Sequence, residues 1–251
     1  MRLIGMLGGL GWEATSSYYR MLNEFTQKEL GGQHAARILL HSVDNGAVKQ
    51  GLSNGDFEQV VSVLSDAGRS LKAGGADFII IASNVMHQFA EQVEHAAGIE
   101  LFHICDPTGA EIRQAGHKTV ALLGTRSTME CEPYIERLQS ESQAGVITPE
   151  AKDRVEINRV IYEELSRGIL RSGARDFITE VIHELHARGA EAVVLGCSEL
   201  TAIVPPDRGT IRIYDTTRLH AKAAVKHALE VTYARPNEPR IPNSLPGKHP
   251  H

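Results

Sequence analysis

The feature that most limits what this chain can fold into is a repeat of three segments in the same order in its two halves. Residues 73–84 match residues 187–198: each has a small-residue helix exit, an acidic residue (Asp77, Glu191) and four apolar residues. A small residue and a polar pair follow, Ser83-Asn84 in one copy and Cys197-Ser198 in the other. Residues 2–9 match 118–125, and each is followed at the same offset by a tyrosine, Tyr18 or Tyr134. A weaker third pair is 101–106 with 211–215. Three ordered matches imply duplication, hence two similar lobes. Open parallel sheets bind ligands beyond the carboxyl ends of their strands. Ser83 and Cys197 are therefore expected to face one shared cleft from opposite sides.

Apolar runs predict strands at 2–8, 36–43, 77–83, 101–105, 118–124, 144–148, 192–197 and 211–215. Amphipathic stretches predict helices at 12–30, 57–73, 86–97, 127–139, 151–168, 174–188 and 216–231. Continuous apolar strands such as Phe78–Ile81 suit parallel sheets covered on both faces. The expected fold is α/β, with two pseudo-symmetric lobes, each a mostly parallel sheet flanked by helices, and the active site in the cleft between them. Residues 1–115 with 211–234 would form the first lobe and 116–210 the second. Residues 235–251 hold five of the ten prolines without apolar periodicity and read as a disordered tail.

At 251 residues and 42% hydrophobic content the chain can bury a full core. Its net charge of −5 argues against a nucleic-acid partner. No stretch of about 18 apolar residues exists, so no membrane span is expected, and residues 1–6 read as a first strand rather than a signal peptide. Three cysteines are too few for a disulfide framework; a cytoplasmic protein with reduced thiols is the simplest reading. No CxxC or HExxH spacing speaks for a metal.

Cys197 follows Gly196 where a strand stops and a helix begins. A helix N-terminus lowers a thiol pKa, which favours a reactive thiolate; the competing reading is a small buried hydrophobe. Ser83 and Asn84 either cap the next helix, or Asn84 joins the free amides of Val85 and Met86 in binding a carboxylate, with Ser198 doing the same opposite. Thr125 and Thr128 either cap a helix or bind an anion. The glycines at 5, 8, 9 and 11 lack the GxGxxG spacing and are expected to let a substrate approach the backbone. His87, His103 and His220 read first as structural, Cys105 as strand core and Cys131 as an incidental helix residue.

These residues carry a resemblance over roughly 1–230 to the cofactor-independent aspartate/glutamate racemase family. Its points are Ile4–Gly9, Ser83–His87, Leu122–Arg126, Gly196–Glu199, and Tyr214–Thr216 with His220-Ala221. The resemblance implies an amino-acid substrate, no pyridoxal phosphate or metal, and a homodimer. It also implies two cysteines flanking the substrate, one removing the α-proton and the other returning one. The second falls on Cys197, the first on Ser83. The chain resembles most closely the subset with a hydroxyl there, which favours L-aspartate and L-glutamate, down to Leu40–Asp44 and Ile157–Leu165. Catalysis is expected from Cys197 and Ser83, with substrate held by Asn84, Val85, Ser198 and Thr125. Lys49 and Gln50 are expected at the side-chain carboxylate, with Arg167 as a weaker candidate. A serine hydroxyl is far less acidic than a thiol, whose pKa is near 8.5, so asymmetric catalysis is expected. Two alternatives are a single-cysteine decarboxylase of the same superfamily and a non-catalytic protein that binds small acids.

Overall fold

The computed structural model describes residues 1–204 and 211–230. The first sheet contains β1 (Ile4–Gly8), β2 (Ile38–Ser42) and β3 (Phe78–Ile81), all parallel, in the order β2-β1-β3. Leu101 extends it by a single parallel bridge to Ile79. The second contains β4 (Thr119–Gly124), β5 (Gly145–Ile147), β6 (Ala192–Gly196) and β7 (Arg212–Asp215), in the order β5-β4-β6-β7. The two orders correspond, so the repeat is structural. β1, β3 and β6 are buried at every position, as parallel strands covered on both faces must be. The repeated acids do the same work: Asp77 accepts from the Leu3 amide at 2.6 Å and Glu191 from the Lys118 amide at 2.5 Å, each at the entry to a central strand.

The helices include α1 (Trp12–Leu30), α2 (Asn45–Asn54), α3 (Phe57–Ala73), α4 (Ala90–Ala97), α5 (Cys105–Ala115), α6 (Arg126–Met129), α7 (Glu132–Ser142), α8 (Ala151–Arg159), α9 (Ser172–Ala187) and α10 (Thr216–Glu230). Two of them change lobes. α5 follows the first sheet but packs on α7, placing Cys105 and Ile112 in one core with Val120, Leu122, Tyr134 and Leu138 of the second. α10 follows the second sheet but packs on α1, where Ala221, Ala224, Val225 and Ala228 join Ile4, Met6, Tyr18 and Leu22. The small residues of α10 let that helix approach closely. α5 and α10 also touch each other.

These facts correct the expected lobe boundaries. The segment at 211–215 pairs with β6 in the second sheet, and α5 joins the second core, while α10 packs on α1. The strand expected at 101–105 shrinks to one bridge, because His103 Nδ1 accepts from the Cys105 amide at 3.1 Å and Pro107 suits a first helical turn. Cys105 is therefore a buried helix-start residue. Cys131 lies between α6 and α7 at a cap position, since Pro133 begins a new helix. The unanticipated α2 starts where Asp44 accepts from the Gly46 amide at 2.9 Å and stops at Gly55, φ 70°. The helix expected over 151–168 is α8, a π turn (Val160–Glu164) and a 3-10 turn (Leu165–Arg167).

The glycine loop serves packing rather than an open approach to the backbone. A Cβ on Gly8 would lie 2.6 Å from Thr15 Cγ2 and 2.8 Å from Leu40 Cδ1; one on Gly9, φ 82°, would run into the Val43 carbonyl. Only Gly11 has room around it. No helix among the described residues is long and apolar enough to cross a membrane, and they contain no metal-ready cluster of His, Cys, Asp and Glu. The expected tail, 235–251, lies outside the described residues.

Candidate active site

The ends of β3 and β6 are tied together by a buried chain of polar groups. Asn84 Oδ1 lies 2.8 Å from the Tyr134 hydroxyl, which donates to it, and 2.9 Å from the Thr216 hydroxyl. Thr216 Oγ1 in turn lies 2.7 Å from the Leu195 carbonyl. Asn84 follows Ser83, and Leu195 precedes Cys197 by two residues, so one threonine of α10 clamps the two candidate positions across the lobes. With Oδ1 so engaged, the Asn84 amide group is left to donate. Asn84 makes no side-chain cap to the turn that follows it (Val85–Phe89), so the capping reading for this residue is excluded. The Val85 amide opens that turn, where helical N–H groups have no partner within the turn.

Thr216→Val keeps the shape of the side chain and removes the hydroxyl from two buried acceptors. It is expected to lower stability by about 1–3 kcal/mol, read as a lower urea midpoint with unchanged slope.

Cys197 is 7% exposed. Its thiol donates to Glu199 Oε2 at 3.0 Å, and the Ser198 hydroxyl donates to the same oxygen at 2.9 Å. The Ser198 hydroxyl is thus committed to Glu199. The expected lowering of the thiol pKa does not occur. Burial raises it well above the ordinary value, and the negative charge and hydrogen bond of Glu199 raise it further; the Glu199 and Leu200 backbone amides pull only weakly the other way. The following 3-10 turn is five residues long (Ser198–Ala202), too short to oppose full desolvation.

Two further groups belong to the surroundings of this end of β6. Tyr162, on the π turn, has its hydroxyl pKa raised by burial and by the charges of Cys197 and Glu199. Lys49 reaches from α2 in the first lobe to place Nζ 5.7 Å from the centre of the Tyr162 ring. A π turn turns a side chain out of helical register, and such turns concentrate at functional sites. Lys49 thereby links the first lobe to Tyr162 of the second. Gln50 and Arg167 are exposed, and neither bonds to the Cys197 group among the described residues. Thr125 caps α6, accepting from the Thr128 amide at 3.3 Å.

Glu199 and Tyr162 were not anticipated. Glu199 carried a signal, a carboxylate two residues past a candidate thiol; the place of Tyr162 depends on the π turn, which apolar periodicity does not reveal. Cys105 and Cys131 are buried, with pKa values raised by burial, and neither has a carboxylate bonded to its thiol among the described residues.

The model of the Asp/Glu/hydantoin racemase family matches residues 7–224. The chain belongs to that family. Among solved structures, this family member is similar to a candidate Asp/Glu racemase of Yersinia pestis, 42% identical with a TM-score of 0.87, covering 91% of this chain and 100% of that one. It is also similar to an aspartate racemase homologue of Pyrococcus horikoshii OT3, 27% identical with a TM-score of 0.81, covering 91% and 99%. A curated relative, the broad specificity amino-acid racemase RacX of Bacillus subtilis, is 22% identical over 226 residues, covering 89% of this racemase-family chain and 96% of RacX.

Proposed function

We propose that this chain is a cofactor-independent racemase of acidic amino acids, in which Cys197 removes the α-proton of the L-isomer. The observation that carries the reading is the Cys197–Glu199 hydrogen bond at the end of β6. A thiol held protonated by burial needs an acceptor before it can serve as a base, and Glu199 is already bonded to it. The thiol proton passes to the Glu199 carboxylate and the thiolate takes the α-proton. The carbanion then receives a proton on its other face from the Ser83 hydroxyl, directly or through one water; solvent restores the Ser83 proton as Glu199 releases the one it took from the thiol. Donation by Asn84 and the Val85 amide to the α-carboxylate stabilises the charge that develops there. Lys49 suits the side-chain carboxylate, being the cation that reaches across to Tyr162. The proposal includes a cytoplasmic homodimer, carried over from the resemblance and the low thiol count.

L-aspartate and L-glutamate incubated separately in deuterated water test this by NMR of the α-proton with chiral analysis. Deuterium at Cα with accumulation of the D-isomer is the expected result. Carbon dioxide release from a substituted malonate without such exchange would instead select the decarboxylase reading, which the lone site thiol favours. Binding of a dicarboxylic acid without either reaction would select the non-catalytic one.

Ser83→Cys supplies an ionisable group on the second face, since a thiolate is reachable near neutral pH where an alkoxide is not. The kcat for D-to-L conversion is expected to rise by about tenfold or more, while the ratio of kcat/KM in the two directions stays fixed by the overall equilibrium constant. A kcat for the D-isomer unchanged by the new thiol would remove Ser83 from the second face.

A further inference from the structure

Three neutral histidines are packed directly behind Ser83. The ring of His87 meets His103 edge-on at 4.7 Å between centroids and His220 at 5.3 Å. Each tautomer follows from its partners. His103 accepts at Nδ1 from the Cys105 amide, so Nε2–H donates to the His87 carbonyl at 3.3 Å. His220 bonds the Phe102 carbonyl through Nε2 at 2.8 Å and the Tyr18 hydroxyl through Nδ1 at 2.8 Å. His87 is different: Nδ1 lies 2.7 Å from the Ser83 carbonyl, and Nε2, fully buried, has no partner among the described residues. Burial and the two neighbouring histidines push its pKa well down, so the ring keeps one proton and spends it on Ser83.

A buried ring nitrogen left unpaired costs stability. A core position free of other demands is better filled by an apolar side chain. What His87 gains in exchange is its hold on the peptide that carries Ser83 and leads into the Asn84 and Val85 donors. By contrast, no hydrogen bond reaches Ser83 Oγ among the described residues. The backbone is fixed while the hydroxyl is left for substrate.

We propose that His87 is a positioning residue for the second face of the site, its Nδ1–H···O=C bond to Ser83 setting the direction from which the carbanion is reprotonated. This inference rests on the racemase reading. It concerns one partition: a carbanion made from the L-isomer in deuterated water returns as deuterated L-isomer from the Cys197 side or as deuterated D-isomer from the Ser83 side.

The test measures that ratio at early times for wild type, His87→Asn and His87→Gln. The asparagine amide nitrogen takes the place of Nδ1, while that of glutamine takes the place of Nε2. Asparagine is expected to keep the wild-type partition to within about twofold. Glutamine is expected to shift it about fivefold or more towards retention, the effect of one lost hydrogen bond. A change in stability or in the amount of folded protein scales both products together and leaves the ratio alone. If both variants keep the wild-type ratio, or both shift it equally, His87 is structural only and the proposal falls while the racemase reading stands. If wild type exchanges no α-proton, both fall.

Discussion

Cys197→Ser is expected to leave a folded protein whose α-proton exchange from L-aspartate or L-glutamate is slower by about 10³-fold, the scale of a positioned acid–base group. The substitution is close to isosteric at a site 7% exposed, and the hydroxyl can still donate to Glu199. Packing and stability should therefore change little, and an unfolding curve run beside the kinetics checks this. Only the acidity differs, and serine cannot supply an anion at the pH where a thiol can. Cys105 and Cys131 cannot substitute, since both are buried in and around the α5–α7 core. Retained exchange in the folded variant would show that another group is the base.

Glu199→Gln is expected to raise the thiolate content of Cys197 and yet lower turnover. The carboxylate raises the thiol pKa through its charge and its hydrogen bond. Removing the charge favours the thiolate, so the pH midpoint for alkylation of Cys197 by iodoacetamide should fall by about one unit or more. In wild type the same midpoint should lie well above the ordinary thiol value, with exchange from L-substrates still rising beyond pH 9. Turnover by Glu199→Gln near neutral pH should nonetheless drop, by about 10²-fold, because no carboxylate receives the thiol proton. Were turnover to rise along with thiolate content, Glu199 would be a brake on Cys197 rather than its proton acceptor.

The repeat made the architecture legible. The apolar runs at 78–81 and 192–195 are continuous because both faces of their strands are buried, and each leads to a polar pair just beyond the strand's carboxyl end. The repeat alone thus puts Ser83 and Cys197 at equivalent strand ends. α2 escaped notice because it is short and polar, and its evidence is only a cap at Asp44 and a stop at Gly55. The exchange of α5 and α10 was invisible because an amphipathic helix shows that it packs and not which sheet it packs on. Local sequence points to the wrong sign for the acidity of Cys197, because it displays a helix start but not the depth at which the thiol lies. Desolvation, the larger effect, belongs to the whole fold.

The exchange of helices bears on how such a chain could arise and be divided. One copy of the repeat ends in a helix whose apolar face has no seat on its own sheet. Two separate copies could satisfy each other only by crossing these arms, as α5 and α10 do within one chain. Neither half is then a self-sufficient folding unit: a cut near residue 116 leaves fragments that each lack a wall and regain it only from the other.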